Sequence, residues 1–263
     1  MPAIAASAAR AWVNRIEASH TKVNPVNTKD TIQVRSLSLL SCKHQIEQLA
    51  RYLCPDEREK AARFHFQPDH DRYVAARGLL RLQLGAFLDR DPKTLFFEYT
   101  SYGKPFISNC GIEFNLSHSG DWVLFAFTHS AEIGVDIEQI RPLPDMPDVA
   151  RQNFSAAEFA LWQAAPAWDR TQAFYRCWTR KESFIKAIGE GLSCPLDSFE
   201  VAFGVDQPAR LTSLKGDEAL AAQWWMADLS DFPGYAAAVT TRTANLNEIS
   251  MVVSEARAAE FLA

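Results

Sequence analysis

No apolar run in this 263-residue chain approaches the ~18 residues that a membrane-spanning helix needs. A basic excess is missing too: the net charge is -5, which argues against a general nucleic-acid binder. The five cysteines (Cys42, Cys54, Cys110, Cys177 and Cys194) are odd in number and form no C-x-x-C pair, so they read as reduced, mostly buried thiols of a cytoplasmic protein rather than disulfides or zinc ligands. There is no G-x-x-x-x-G-K loop, no H-E-x-x-H and no Ser/His/Asp order, which removes the usual grounds for a nucleotide phosphotransferase, a zinc hydrolase or a serine hydrolase. The first thirty residues lack the compact apolar segment of a secretory signal. They are Ala-rich and set Arg10, Arg15 and Lys22 against Glu17, so they read as a disordered extension, with a transit peptide as the alternative.

What is present is an ordinary globular composition, long enough for one large domain or two small ones. Ile32, Val34, Leu37 and Leu39 read as a first strand that changes face. Pro55 suits the first position of a short helix with acids in its first turn. A longer helix is expected from about Asp69 to Leu88, with Tyr73, Ala76, Leu80, Leu84 and Phe87 on one stripe and Arg72, Arg77 and Arg81 off it. Strands follow around Leu95–Tyr99, Glu113–Leu116, Trp122–Thr128 and Ile133–Glu138, before the prolines of Arg141–Asp148 break the pattern. Ser155 and Glu158 form a capping box, and a second long helix from about Asp169 ends at Gly189. Four more strands are expected around Phe199–Phe203, Trp224–Ala227, Tyr235–Thr240 and Ile249–Val253. The expectation is an α+β protein: an extension over 1–30, an N-terminal subdomain over 31–132 and a C-terminal subdomain over 133–263, with no repeat visible in the sequence.

Three constellations could carry chemistry. In Gly134-Val135-Asp136-Ile137-Glu138, strand alternation puts both acids on one face and Val135 and Ile137 on the other. Paired carboxylates repel unless a cation joins them, and hard oxygens suit Mg²⁺; the other reading is a solvated strand face. Glu182 and Lys186 lie one helical turn apart on the face of Phe174 and Trp178. They form either a surface ion pair or, given the aromatic company, a buried pair that a metal-bound pyrophosphate would satisfy. The turns Gly103-Lys104-Pro105 and Asn115-Leu116-Ser117-His118-Ser119-Gly120 bring an ammonium, hydroxyls, an imidazole and backbone N–H groups suited to phosphate. His118 reads equally as a neutral histidine at a strand end.

Taken in order, Gly103–Pro105, Phe114–Gly120, Gly134–Glu138 and Trp178–Lys186 resemble the Sfp-type 4′-phosphopantetheinyl transferases. The likeness also takes in Arg58–Phe64 and Pro195–Phe199. The resemblance implies a monomer of two similar halves related by a pseudo-twofold axis, with coenzyme A (CoA) and Mg²⁺ between them. It implies that Asp136, Glu138 and Glu182 hold the metal, that Lys186 meets the pyrophosphate, and that Lys60, Lys104, Ser117 and His118, with Arg72 as an addition, bind CoA phosphates. Glu182 and Lys186 are then the catalytic pair, and the partners are apo acyl or peptidyl carrier proteins, with no nucleic acid or membrane involved. One departure stands out: Glu57 occupies a turn position where a second basic residue is expected, which implies a weakened grip on the CoA 3′-phosphate. A CoA-binding module without catalysis is the competing reading, and retention of all three acids with Lys186 argues against it.

Overall fold

The structure, a computed structural model, describes residues 31–129, 131–243 and 249–262; the N-terminal extension lies outside them. The first half runs β1 (Thr31–Ser38), α1 (Ile46–Ala50), α2 (Pro55–Ala62), α3 (Gln67–Leu88), β2 (Glu98–Tyr99), β3 (Pro105–Phe106), β4 (Glu113–Ser119) and β5 (Trp122–Thr128). The second runs β6 (Ile133–Gln139), α4 (Met146–Asn153), α5 (Ala156–Ala164), α6 (Arg170–Ile188), β7 (Phe199–Ala202), β8 (Arg210–Leu214), α7 (Glu218–Ala221), β9 (Trp224–Asp228) and β10 (Tyr235–Arg242), and β11 (Ser250–Glu255) follows. This is an α+β fold.

The two halves share a plan that the sequence hides. In each, a first strand leads through a long helix and a small hairpin to two further strands, the last of which pairs antiparallel with the first. The sheet orders are β11-β1-β5-β4 and β6-β10-β9. The strand β11, which sequence order assigns to the second half, instead pairs parallel with β1 from Thr31↔Ser250 to Ser36↔Glu255. Its downstream residues Ala256, Ala258 and Phe261 join the first half's core, so the boundary drawn over 133–263 is corrected at its far end.

Three apolar cores result among the described residues. One packs α1 and α3 against Leu37, Val123, Phe125 and Phe127; a second surrounds α6 with Phe154, Trp162, Phe199 and Trp224. The third lies where the halves meet, joining Ile32, Val34, Leu124 and Ala126 to Ile133, Val135, Ile137 and Val239. The expected change of face in β1 is thus real: Ile32 and Val34 serve the joint, and Leu37 serves the first core. Alternation in β5 does the same with even and odd residues.

Local signals behave as their chemistry dictates, with exceptions. The Ser155 hydroxyl accepts from the Glu158 N–H at 3.2 Å while the Glu158 carboxylate accepts from the Ser155 N–H at 2.8 Å. The long helix α6 ends on Gly189, whose φ of 74° is left-handed and whose N–H reaches the Ile185 carbonyl at 3.0 Å. Within Arg141–Asp148, α4 already begins at Met146, because Pro147 falls in the first turn, where a missing N–H costs nothing. The expected strand Leu95–Tyr99 shrinks to Glu98–Tyr99. All five cysteines are free, with Cys42 and Cys177 buried.

Candidate active site at the joint between the halves

The strands β4 and β6 run side by side where the two sheets meet, tied by side chains. Asn115 Oδ1 accepts from the Val135 N–H at 3.0 Å, Ser117 Oγ from the Ile137 N–H at 3.4 Å, and Ser119 Oγ from the Gln139 N–H at 3.0 Å. The same two serines donate onward, Ser117 to Asp136 Oδ1 and Ser119 to Glu138 Oε2, both at 2.8 Å. Sequence reasoning missed Asn115 and Ser119 in this role. Their signal was available: polar residues at 115, 117 and 119 alternate with Leu116 and His118 at the period of a strand.

Because Val135 and Ile137 enter the joint core, Gly134, Asp136 and Glu138 face α6. Helix and strand approach so closely that a Cβ on Gly134 would overlap the Ser183 carbonyl oxygen and the Ala187 nitrogen. Glu182 and Lys186 are thereby carried to the two acids. A cavity of about 340 Å³ opens there, walled by Ser117 and His118 from β4, Asp136 and Glu138 from β6, and Trp178, Glu182 and Lys186 from α6. Trp178 stacks on the buried Phe174, ring centroids 5.9 Å apart, which anchors this face of the helix.

The electrostatics of the cavity are those of carboxylates short of positive charge. Lys186 Nζ lies 2.6 Å from Asp136 Oδ1 and 2.9 Å from Ser117 Oγ. Asp136 Oδ2 is buried and has no hydrogen-bond partner among the described residues. Burial first, then repulsion from Asp136 and Glu138, pushes Glu182 up to about 7 against the pull of Lys186. Glu138 is raised for the same reasons, burial ahead of Asp136. His118 is held below its ordinary value by desolvation and by the cations Arg72 and Lys186.

Among the described residues, no group of three or more His, Cys, Asp or Glu side chains is drawn together closely enough to hold a metal ion. The donor chemistry is nevertheless of the hard-oxygen kind that suits Mg²⁺: three carboxylates face one cavity, two with raised pKa, and the third with a buried oxygen lacking a partner among the described residues.

The other residues singled out from sequence are placed differently. Arg72 on α3 bonds Asp69 at 2.8 Å and the Gly120 carbonyl at 3.2 Å, leaving its buried Nε without a partner among the described residues. Exposed Lys60 sits over the ring of Tyr73, next to Arg72 in the chain, and borders a second cavity of about 530 Å³ with Arg63 and Phe64. Lys104 does not wall the first cavity; its ammonium is bonded to two backbone carbonyls, of Ile133 and Ala187. Glu57 overturns its expected place. It is 4% exposed, bonded to Arg77 at 2.5 Å, to Arg81 at 2.6 Å and to the Cys54 N–H at 2.9 Å, so it faces no phosphate. Burial alone would raise its pKa, but the two arginines and the N–H hold it below the ordinary value.

Two family descriptions match the chain: "4'-phosphopantetheinyl transferase, N-terminal" over residues 40–130 and "4'-phosphopantetheinyl transferase superfamily" over 132–240. The 4'-phosphopantetheinyl transferase HetI of Nostoc sp. is 35% identical over 186 residues, which are 69% of this chain and 78% of that protein. The chain belongs to the 4′-phosphopantetheinyl transferase superfamily. Similar family members include Sfp of Bacillus subtilis, 38% identical over 61% of this chain and 70% of its own length. Another is psf-1 of Bacillus pumilus, 34% identical over 80% and 88% respectively. Within this phosphopantetheinyl transferase, the two matched segments adjoin where β5 gives way to β6. No helix among its described residues is long and apolar enough to cross a membrane.

Proposed function

We propose that this protein transfers the 4′-phosphopantetheine arm of CoA to a serine of an apo carrier protein, acyl or peptidyl, with Mg²⁺ as the metal and release of 3′,5′-ADP. The observation that carries the reading is the joint cavity, where Asp136, Glu138 and Glu182 face Ser117, His118 and Lys186 in a chain of this superfamily. A CoA molecule has phosphates at two places along its length, and polar groups are distributed to suit it: the Lys186 ammonium with the His118 imidazole for the pyrophosphate, and Lys60 with Arg63 for the nucleotide end.

In the reaction the serine oxygen bonds to the β-phosphorus of CoA as the phosphoanhydride bond to 3′,5′-ADP breaks. Glu182 takes the serine proton, directly or through water. Lys186 turns its ammonium from Asp136 to the departing ADP phosphate, and Ser117 and His118 hold the pyrophosphate in line. Mg²⁺ held by Asp136, Glu138 and Glu182 would supply the dication that neutralises pyrophosphate charge.

Mass spectrometry of several apo carriers incubated with the protein, CoA and Mg²⁺ tests this. A carrier heavier by one phosphopantetheine is the expected result. Tight CoA binding with no carrier modified across acyl and peptidyl types would instead leave a CoA-binding module.

A further inference from the structure

The turn between β2 and β3 is closed by its own hydrogen bonds. The Thr100 N–H donates to the Lys104 carbonyl at 2.9 Å, the Gly103 N–H to the Thr100 carbonyl at 2.9 Å, and the Lys104 N–H to Thr100 Oγ1 at 3.1 Å. Gly103, with φ 84°, permits that turn. From this base the Lys104 side chain leaves its own half and crosses to the other. Its Nζ donates to the carbonyl of Ile133, the first residue of β6, at 3.0 Å. It also donates to the carbonyl of Ala187 in the last turn of α6, at 2.9 Å. The last carbonyls of a helix lack partners within it and favour a cation, so this end of α6 suits an ammonium. The fit is close, because a Cβ on Gly189 would stand 3.3 Å from Lys104 Cδ. Burial lowers the lysine's pKa, with Glu113 and Glu132 opposing.

The two carbonyls belong to the two elements that build the cavity. Ile133 leads into Asp136 and Glu138, and Ala187 follows Lys186 on the helix that carries Glu182. We propose that Lys104 is a positioning residue: a clip from the N-terminal half that fixes β6 and the end of α6 in register, so that the acids and Lys186 meet in one geometry. The proposal deepens the transferase reading and rests on it, and it takes Lys104 away from the CoA phosphates.

The test uses the full chain carrying Lys104→Met or Lys104→Arg. CoA affinity is measured by calorimetry at low and high salt, kcat and KM by the carrier mass assay, and backbone flexibility by hydrogen exchange. For Lys104→Met, CoA Kd is expected to stay within about 2-fold with the same salt dependence, while kcat falls about 10-fold or more. Exchange should quicken in β6 and in the last turn of α6. Lys104→Arg should lose kcat similarly, because a planar guanidinium does not reproduce the single ammonium that both carbonyls share, and it carries the test if the Met variant does not fold. A phosphate ligand would behave oppositely: CoA Kd would weaken about 10-fold or more in the Met variant and recover with Arg, which overturns the clip. Unchanged kcat in both variants also overturns it. If the wild-type protein modifies no carrier, the transferase reading fails separately, and unchanged exchange in β6 and α6 would then refute the clip.

Discussion

A carboxylate at position 57 means one thing on a solvated turn and another beneath two arginines. From sequence, Glu57 stands among Arg58, Lys60 and Arg63, and replacing it by lysine ought to improve the grip on CoA. In the fold it is the shared partner of the buried Arg77 and Arg81, neither of which lies on the expected apolar stripe of α3, yet both of which are inside. Glu57→Lys would bury three cations together. The expected loss is about 3–5 kcal/mol of stability, read by urea unfolding, with no CoA-specific gain. A variant of full stability that binds CoA more tightly would sink this account. Glu182 makes the second prediction at this scale. The folded, metal-free protein keeps the Glu182 proton up to about 7, whereas an unfolded chain releases it near ~4.3. Between those values the folded state binds more protons, so stability falls as pH rises through the window. Glu138 is shifted in the same direction. In chelator, Tm should therefore decline from about pH 5 to 7, and Glu182→Gln should flatten the decline. A slope that Glu182→Gln leaves unaltered would show that burial of Glu182 is not its source.

At the scale of the element, the site is one strand laid across one helix, and Gly134 sets their distance. Gly134→Ala adds a methyl directed at the Ser183 carbonyl and the Ala187 nitrogen, which are backbone atoms of α6 and cannot rotate away. The helix must shift, costing about 1–3 kcal/mol as overpacking does. Glu182 and Lys186 would move with it, so kcat is expected to fall about 100-fold at temperatures where the variant remains folded. Loss of stability with normal turnover would mean the helix adjusts without disturbing the site. Both elements were legible in the sequence for definite reasons. Strand alternation places Asp136 and Glu138 on one face, and helical spacing from Phe174 through Trp178 to Glu182 and Lys186, closed by Gly189, describes α6. What these periods do not carry is which element meets which. The lysine of Gly103-Lys104-Pro105 reads as a phosphate-binding group because its partners, two carbonyls 29 and 83 residues away, leave no local trace.

The same limit governs the whole molecule. The halves repeat a topology without repeating a sequence, because strand order needs only matched apolar faces and short connections, which many sequences supply. The last strand illustrates the consequence. Ile249–Val253 alternates as a strand should, but alternation does not name a partner, and chain order assigns it to the second half. Parallel pairing with β1 sends the end of the chain back across the joint, where Ala256 and Ala258 are buried and Phe261 is 8% exposed in the first core. Removing residues 249–262 should therefore injure the half of the molecule that is remote in sequence. It would strip β1 of its parallel neighbour, leaving an unpaired edge whose N–H and C=O groups invite association between molecules. It would also open the first core where Phe261 sits, at a cost of about 3–5 kcal/mol for a lost aromatic anchor alone. Hydrogen exchange should quicken in β1 and β5, beside the lost strand and core, while α6, held by the second core, should stay slow; size-exclusion chromatography should show oligomers. If exchange quickened instead in β9 and β10 while β1 stayed protected, the end of the chain would belong to the second half after all.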